Sequence, residues 1–239
     1  MSTQEQPPPL RSPSRPAAAS GAPSLGPELL ACGPWELEQV RARWREEHFE
    51  PAPALADAAD AAIASLRDRG SPSHDGLAAR LVDFGVRPDG LTLELQPTRW
   101  ALRLVEGDAS SSVAALCVTR SADGRWLAGR RAPWLSSWAG QWALGAGGAV
   151  DLGENPADTL ARELEEEWSV SPAQIRGEAL LRLPHGLVMF VGQAWLAEGA
   201  EVTPDHEHDA YAWWPAQIDQ WPADASEPLR RMANWLLHQ

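Results

Sequence analysis

The sequence contains no lysine, so all of its 20 basic residues are arginine. The absence of lysine excludes lysine Schiff-base chemistry and a phosphate-binding loop of the lysine type. No apolar run approaches the roughly 20 residues that a membrane-spanning helix needs, so we expect no membrane partner. The first residues lack the apolar core of a secretion signal, which predicts that the chain is not secreted.

Cysteine and positive charge are also scarce. The two cysteines, Cys32 and Cys117, fit no metal-binding or redox spacing, which predicts a reduced, cytoplasmic compartment. Acidic residues number 33 against 20 basic ones, and the formal charge at pH 7 is -13. A chain this acidic repels a polyphosphate backbone, so we expect no nucleic-acid polymer as partner. A small phosphorylated substrate stays compatible if divalent cations screen the carboxylates.

What the chain does have is an ordinary globular composition, with 44% hydrophobic residues over 239 positions. Residues 1–26 are rich in Pro, Ser and Ala and predict a disordered tail. Residues 27–90 show apolar spacings that predict three helices, over 34–44, 55–67 and 75–85. No chemistry is evident in these helices. We expect a small packing module, with homodimer formation as one role for it.

From residue 91 the pattern changes, and residues 91–239 are predicted to form one mixed α+β domain. One helix is predicted over 156–168, and another starts near residue 226. Apolar alternation and short apolar runs predict strands at 92–95, 100–105, 113–119, 125–130, 141–144, 179–183, 187–196 and 211–214.

The helix predicted at 156–168 carries a group of carboxylates. Glu163, Glu166 and Glu167 stand at positions i, i+3 and i+4, so all three lie on one stripe of the helix. Like-charged neighbours repel each other, whereas a hard divalent cation such as Mg²⁺ or Mn²⁺ reverses the sign of that energy. Glu154 adds a carboxylate just before the helix. A solvated acidic helix face is the alternative that the charge pattern alone leaves open.

These residues belong to a longer pattern of fixed spacing that runs from Gly148 to Val170. The pattern is similar to the Nudix box, and it departs from that motif at Ser169, where the family usually has Gly. The resemblance covers about residues 97–239. The matching positions are Gly148, Glu154, Arg162, Glu163, Leu164, Glu166, Glu167 and Val170.

The resemblance implies a fold and a reaction class. The fold is an α/β/α sandwich in which the box forms a loop, a helix and a loop. With the helices predicted before it, the expected class is α+β with a small helical N-terminal extension. The implied activity is hydrolysis of a nucleoside diphosphate linked to another group, or of a related small diphosphate, with Mg²⁺ as cofactor and Mn²⁺ as an alternative.

The resemblance also implies roles for the box residues. Gly147, which precedes the box, matches a position whose carbonyl can complete the metal shell. Arg162 and Glu154 match the partners that fix the helix and the loop. The positions that match metal-binding carboxylates are Glu163, Glu166 and Glu167.

The general base is not determined by the box, because members of this family use either a box glutamate or an acidic residue on a later loop. Here Glu166 is the first candidate. Glu207, which precedes the predicted strand at 211–214, is the second. His206 and His208 flank Glu207, and we expect them in a solvated polar loop rather than in a transition-metal site.

Candidates for substrate binding lie shortly before the box. Arg130 and Arg131 end a predicted strand and are candidates for gripping a phosphate, with a surface salt bridge as the alternative role. Trp142 is a candidate for stacking on a base or other flat group, with core packing as its alternative.

Two other functions stay open from the sequence. Ala146, before the glycine pair, is similar to the isopentenyl-diphosphate isomerase branch, but that branch needs a cysteine near this loop. Cys117 lies within an apolar strand and is expected to be inert. The other alternative is a non-catalytic binding module with the same fold, which is expected to have lost box carboxylates that are all present here.

Overall fold

The computed structural model describes residues 26–71, 75–105, 110–135 and 137–239, so the tail predicted for 1–26 lies outside the described residues except for its last position. The strands in these ranges are β1 (Glu28–Trp35), β2 (Val40–Trp44), β3 (Leu77–Arg87), β4 (Gly90–Arg99), β5 (Val113–Arg120), β6 (Trp126–Arg131), β7 (Trp142–Leu144), β8 (Ala146–Ala149), β9 (Gln174–Arg182), β10 (Val188–Trp195) and β11 (His208–Trp214). The α-helices there are α1 (Pro53–Asp68), α2 (Pro156–Trp168) and α3 (Glu227–Leu236). None of the helices in the described ranges is long and apolar enough to cross a membrane.

The larger of two sheets lies between α2 and α3. Its strands run in the order β1-β9-β10-β5-β6-β11, with β7 paired to β6 and β8 paired to β5. Strands β10 and β5 are parallel, whereas the β1–β9 and β6–β11 pairs are antiparallel. Cys117 of β5 joins the buried cluster that includes α2, and the next residue, Val118, joins the cluster that includes α3. Because successive strand residues face opposite sides, the helices cover opposite faces, and the predicted α+β sandwich is confirmed.

Helix α2 begins and ends at the residues that the sequence predicts, because both ends carry local signals. The side chain of Asn155 accepts a hydrogen bond from the N–H of Ala157 at 3.1 Å, and Pro156 occupies the first helical position. Ser169 follows the helix with φ 50°, in the left-handed region where the motif usually has glycine. The fully buried side of the helix consists of Leu160, Leu164 and Trp168. The glutamate stripe lies beside this side of the helix, where Glu163 and Glu167 are buried and Glu166 is exposed.

The helix predicted over 34–44 is wrong. These residues contain the end of β1, a 3₁₀ turn over Leu37–Gln39, and β2. The spacing of four between Val40 and Trp44 fits a strand as well as a helix, because both residues lie on one face of β2. Pairing with distant strands decides the conformation, since β1 pairs with β9 and β2 pairs with β4.

The helix predicted over 75–85 is also wrong, because this segment forms β3. Leu81 and Phe84 both pack on the buried core although they are three residues apart. The pairing of β3 with β4 shifts its register between Leu81 and Asp83, and such a bulge imitates helical spacing. Only the helix predicted over 55–67 is present, as α1, so residues 27–90 are not a helical extension. The division of the chain into independent folding units stays a prediction.

The smaller sheet has the strand order β2-β4-β3 and packs on the side of the larger sheet that carries α2. Leu91, Leu93 and Leu95 of β4 are fully buried in the same cluster as α2. The strand predicted over 100–105 is instead a 3₁₀ turn, Trp100–Leu104, that packs on α1. The smaller sheet is therefore built onto the box side of the larger one.

Candidate active site

Arg162 joins the box loop to the carboxylates of α2. Its Nε and Nη2 donate to the two carboxylate oxygens of Glu154 at 2.8 and 3.0 Å. Its Nη1 donates to Glu163 Oε1 at 2.7 Å and to Glu166 Oε2 at 2.9 Å. The hydrogen bonds to Glu154 raise the pKa of Arg162 above its ordinary value, so the guanidinium stays charged. One cation thus offsets part of the repulsion among three carboxylates.

The three carboxylates of the stripe differ in their exposure to solvent. The side chains of Glu163 and Glu167 are 11% and 5% exposed, whereas that of Glu166 is 58% exposed. Burial raises the pKa of Glu163 to about 7, against the opposing charge of Arg162, and raises the pKa of Glu167 well above its usual range. Two carboxyl groups are therefore held where burial makes ionisation unfavourable, and for Glu163 the charge of Arg162 offsets only part of that cost.

The glycine pair of the box allows β8 to lie directly against these carboxylates. The backbone N–H of Gly147 donates to Glu167 Oε1 at 2.9 Å. A Cβ added to Gly148 would lie 2.2 Å from Glu163 Oε1, which is closer than real contacts allow. The carboxylate of Glu163 therefore occupies the space that any side chain at position 148 would need.

The donor set fits a hard divalent cation. The candidate ligands are carboxylate oxygens, which Mg²⁺ and Mn²⁺ accept. Glu167 Oε2 is buried and has no hydrogen-bond partner, and an ion is one explanation for such an orphaned oxygen. In the part of the chain that the structure describes, no group of three or more acidic, histidine or cysteine side chains is arranged so that it could hold a metal ion. In the structure, Arg162 occupies one carboxylate oxygen each of Glu163 and Glu166, namely Oε1 of Glu163 and Oε2 of Glu166.

The loop before β11 lies beside the end of α2 and brings Glu207 to the same region. The N–H of Asp205 donates to the carbonyl of Glu167 at 2.9 Å, and the carbonyl of Glu207 accepts from the N–H of Ala132 at 2.7 Å. The carboxylate of Glu207 lies 3.5 Å from Nη2 of Arg131. Burial raises the pKa of Glu207, and the charge of Glu207 in turn raises the pKa of Glu167. Glu207 and Arg131 therefore face the box carboxylates.

His208 is buried, so the expectation of a solvated loop position is wrong for this residue. Its side chain is 1% exposed, and its ring centroid lies 4.5 Å from that of Trp168. Its Nε2 lies 3.6 Å from Glu167 Oε2, and its Nδ1 lies 3.4 Å from Asp205 Oδ1. Burial lowers the pKa of His208, against the opposing effect of Asp205. His206, in contrast, is exposed.

The substrate candidates are divided between the two faces of the larger sheet. Arg131 points toward the carboxylates, whereas Arg130 points to the face that carries α3 and pairs with Asp209 at 2.6 Å. Trp142 is the cross-strand neighbour of Arg130, and its Nε1 donates to Asp224 at 2.9 Å. A surface cavity of about 270 Å³ is lined by Arg130, Gly140, Gln141, Trp142, Asp224 and Ser226.

Sequence reasoning missed Asp224 and placed His208 wrongly in a solvated loop. Asp224 reaches Trp142 across 82 residues of chain, and nothing local to it signals that contact. The burial of His208 had a signal, because it is the first residue of β11, whose predicted start at 211 was three residues too late.

Comparison with known proteins gives one family match and several fold matches. A family model described as NUDIX domain matches residues 110–236, which is more than half of the chain. No curated protein matches the sequence. A solved MutT protein from Methanosarcina mazei is similar at 22% identity and a TM-score of 0.42, over 54% of this chain and 96% of that one. A C. elegans Ap4A hydrolase is similar at 20% identity and 0.41, over 53% and 99% of the two chains. The NUDIX domain of Shewanella oneidensis NrtR, solved with ADP ribose, is similar at 20% identity and a TM-score of 0.40, over 53% of this chain and 88% of that one.

The family match and the geometry of α2 refer to the same residues. The box from Gly148 to Val170 lies entirely within the matched range, and its carboxylates, arginine and glycines make the contacts described above. This chain therefore belongs to the Nudix family.

Proposed function

We propose that the protein is a Mg²⁺-dependent hydrolase that cleaves a diphosphate linkage in a small nucleotide-type or related substrate. The observation that carries the proposal is the grouping of Glu163, Glu166 and Glu167 near Arg162, with Glu207 beside them. Membership of the Nudix family supports the reaction class. The net charge of -13 favours a substrate whose phosphates arrive together with a divalent cation.

Glu163, Glu166 and Glu167 would hold the cation, with the carbonyl of Gly147 as a further ligand and Mn²⁺ as the alternative ion. When bound, the cation neutralises the diphosphate and lowers the pKa of a water molecule. Arg162 Nη1 holds the carboxylates of Glu163 and Glu166 close to each other. The N–H of Gly147 orients Glu167 and leaves its second oxygen available for the ion.

We assign the general base to Glu207 in preference to Glu166. Burial raises the pKa of Glu207 toward the operating pH, which suits a group that accepts a proton from water. Its contact with Arg131 is long, at 3.5 Å, so an oxygen is available for that proton. Glu166 is bound to Arg162 at 2.9 Å and is needed as a metal ligand in this scheme.

The cavity beside α3 lies on the face of the sheet opposite the box carboxylates, so it is proposed as a binding surface separate from the metal site. The indole of Trp142 offers a flat apolar surface, and Asp224 and Arg130 offer hydrogen-bonding groups of opposite charge. Such a mixture suits a heterocyclic or sugar group. Arg131, on the other face of the strand, is proposed to bind a phosphate oxygen, because its guanidinium suits that geometry.

The test measures Mg²⁺-dependent phosphate or diphosphate release from nucleotide sugars, dinucleotides and nucleoside triphosphates. With an accepted substrate, Glu207→Gln is expected to lower turnover by about 10²–10⁴-fold while the dependence on Mg²⁺ concentration stays unchanged. Glu166→Gln is expected to raise the Mg²⁺ concentration needed for the half-maximal rate. Glu165→Gln is the matched control, because Glu165 lies on the exposed side of the same helix and accepts a hydrogen bond from Ser171.

Absence of turnover across the whole panel would contradict the hydrolase proposal. Equal turnover in Glu207→Gln and Glu165→Gln would contradict the assignment of the base and return that role to Glu166. Mg²⁺-dependent binding of a panel compound without turnover would instead support a non-catalytic binding module. A cytoplasmic location and a homodimer stay predictions, which fractionation and sedimentation can test.

An isomerase of the isopentenyl-diphosphate type finds no support, because such an enzyme needs a thiol that reaches the substrate. Cys117 is fully buried, and burial raises its pKa to about 12. Cys32 is exposed on β1, where its Sγ donates to the side chain of Gln239. Neither thiol is placed to protonate a ligand held by the box carboxylates.

A further inference from the structure

We infer that the smaller sheet positions the Nudix box by holding both ends of the box loop, residues 149–155. The strands that do so, β2 and β3, precede the residues that the family model matches, so family membership does not account for them. The contacts are independent of any activity. Their catalytic consequence rests on the function proposed above.

Strand β3 holds the first end of the box loop through backbone contacts. The N–H of Ala79 donates to the carbonyl of Val150 at 2.8 Å, and Ala78 forms an antiparallel bridge with Asp151. Both alanines are buried, at 4% exposure or less. The loop therefore leaves β8 along a path that β3 determines.

Strand β2 holds the other end of the loop through side chains. The indole Nε1–H of Trp44 donates to the carbonyl of Glu154 at 2.9 Å. The amide Nδ2 of Asn155 donates to the carbonyl of Val40 at 2.8 Å, while its Oδ1 accepts from the N–H of Ala157. The residue that begins α2 is thus also the residue that binds β2.

The carboxylate of Glu154 transmits this positioning to the metal ligands. It accepts from the N–H of Asp151 at 3.1 Å and from two nitrogens of Arg162. The remaining terminal nitrogen of Arg162 donates to Glu163 and Glu166. Nη2 of Arg162 also donates to the carbonyl of Ala149 at 3.0 Å, so both ends of the box loop bind the guanidinium. A rotation of the backbone at position 154 would therefore remove one of the two anchors that hold Arg162 against the glutamates. Trp44 is a positioning residue that acts through Glu154 and Arg162.

The test uses Trp44→Phe in the full chain, which keeps an aromatic ring against the buried cluster but removes the N–H donor. Trp35→Phe is the matched control, because Trp35 is a buried residue of the same segment whose ring stacks on Phe190, away from the box loop. Asn155→Ser is a second variant that keeps an N-cap oxygen but loses the donor to Val40.

The first readout is amide hydrogen exchange in the metal-free protein. The N–H groups of Asp151 and Glu154, which are hydrogen-bonded within the loop, are expected to exchange about 3- to 10-fold faster in Trp44→Phe and Asn155→Ser. The second readout is the Mg²⁺ concentration that gives half of the maximal thermal stabilisation. It is expected to rise by a similar factor in both variants and to stay unchanged in Trp35→Phe.

The inference is overturned if both amides exchange at an unchanged rate in a folded Trp44→Phe or Asn155→Ser variant. Faster exchange with an unchanged Mg²⁺ requirement also overturns it, because the loop would then not position the ligands. If the unaltered chain shows no response to Mg²⁺ while the loop amides exchange faster in the variants, the proposed function fails. The positioning of the box loop by the smaller sheet is then still supported.

Discussion

In the absence of divalent cations, the free energy of unfolding of the protein should fall as the pH rises from about 5 to 8. The pKa of Glu163 is 4.5 in its ordinary state and about 7 in the folded protein, because the carboxyl is buried. Between these values the folded protein binds more protons than the unfolded chain, so the free energy of unfolding falls with rising pH. At about 1.4 kcal/mol per unit of pKa, the loss amounts to about 3 kcal/mol as an upper value.

The assay is urea unfolding in EDTA at about pH 5 and pH 8, for the unaltered protein and for two variants. Glu163→Gln cannot ionise at that position, so it should lose up to about 3 kcal/mol less than the unaltered protein over this range. Glu165→Gln, the exposed control, should follow the unaltered protein. Added Mg²⁺ should restore stability at pH 8, because an ion that binds the folded state stabilises it. Stability that rises with pH equally in all three proteins would refute the reasoning.

Three further predictions follow from single positions. Ser169→Gly should raise the free energy of unfolding by about 1 kcal/mol in urea, because Ser169 has φ 50°; a drop in stability would show that the strain is absent. Gly148→Ala should abolish the thermal stabilisation by Mg²⁺ with circular dichroism unchanged, since its Cβ would lie 2.2 Å from Glu163 Oε1; a retained Mg²⁺ response would contradict this. A thiol reagent should label Cys32 at once and Cys117 only after unfolding, because burial raises the pKa of Cys117 to about 12; two rapidly labelled thiols in the native protein would disprove the burial.

The box helix could be predicted from the sequence because its signals are local. Asn155 and Pro156 define its beginning, and the order of glutamates and apolar residues defines its two sides. The position of Glu207 near the box was inferred from its place before a strand, and in the structure that loop is tied to the end of α2. The burial of Glu163 and the close approach of Gly148 needed coordinates, because they depend on how β8 packs against α2.

The strands before residue 100 could not be predicted in the same way, because β1 and β2 pair with distant segments and the local β3–β4 hairpin contains a bulge. The register shift between Leu81 and Asp83 produced an apparently helical spacing, and the bond from Trp44 to Glu154 crosses 110 residues of chain. The separation of Arg130 from Arg131 was accessible in principle, since adjacent residues of a strand face opposite sides. The adjacency of Arg130 and Arg131 in the sequence suggested a single phosphate-binding site, whereas the two side chains lie on opposite faces of the sheet.

The pairing of β1 with β9 has a consequence for synthesis on the ribosome. Trp35 pairs with Gly177, so the first strand must wait for more than 140 further residues before its partner exists. At about 5–20 residues per second, that delay is roughly 7 to 30 seconds. During this interval the residues of β1 lack their sheet partner, so their backbone groups are open to pairing with a neighbouring chain. Fast completion of the sheet, or a chaperone that shields this segment, should therefore control the yield of native protein in the cell.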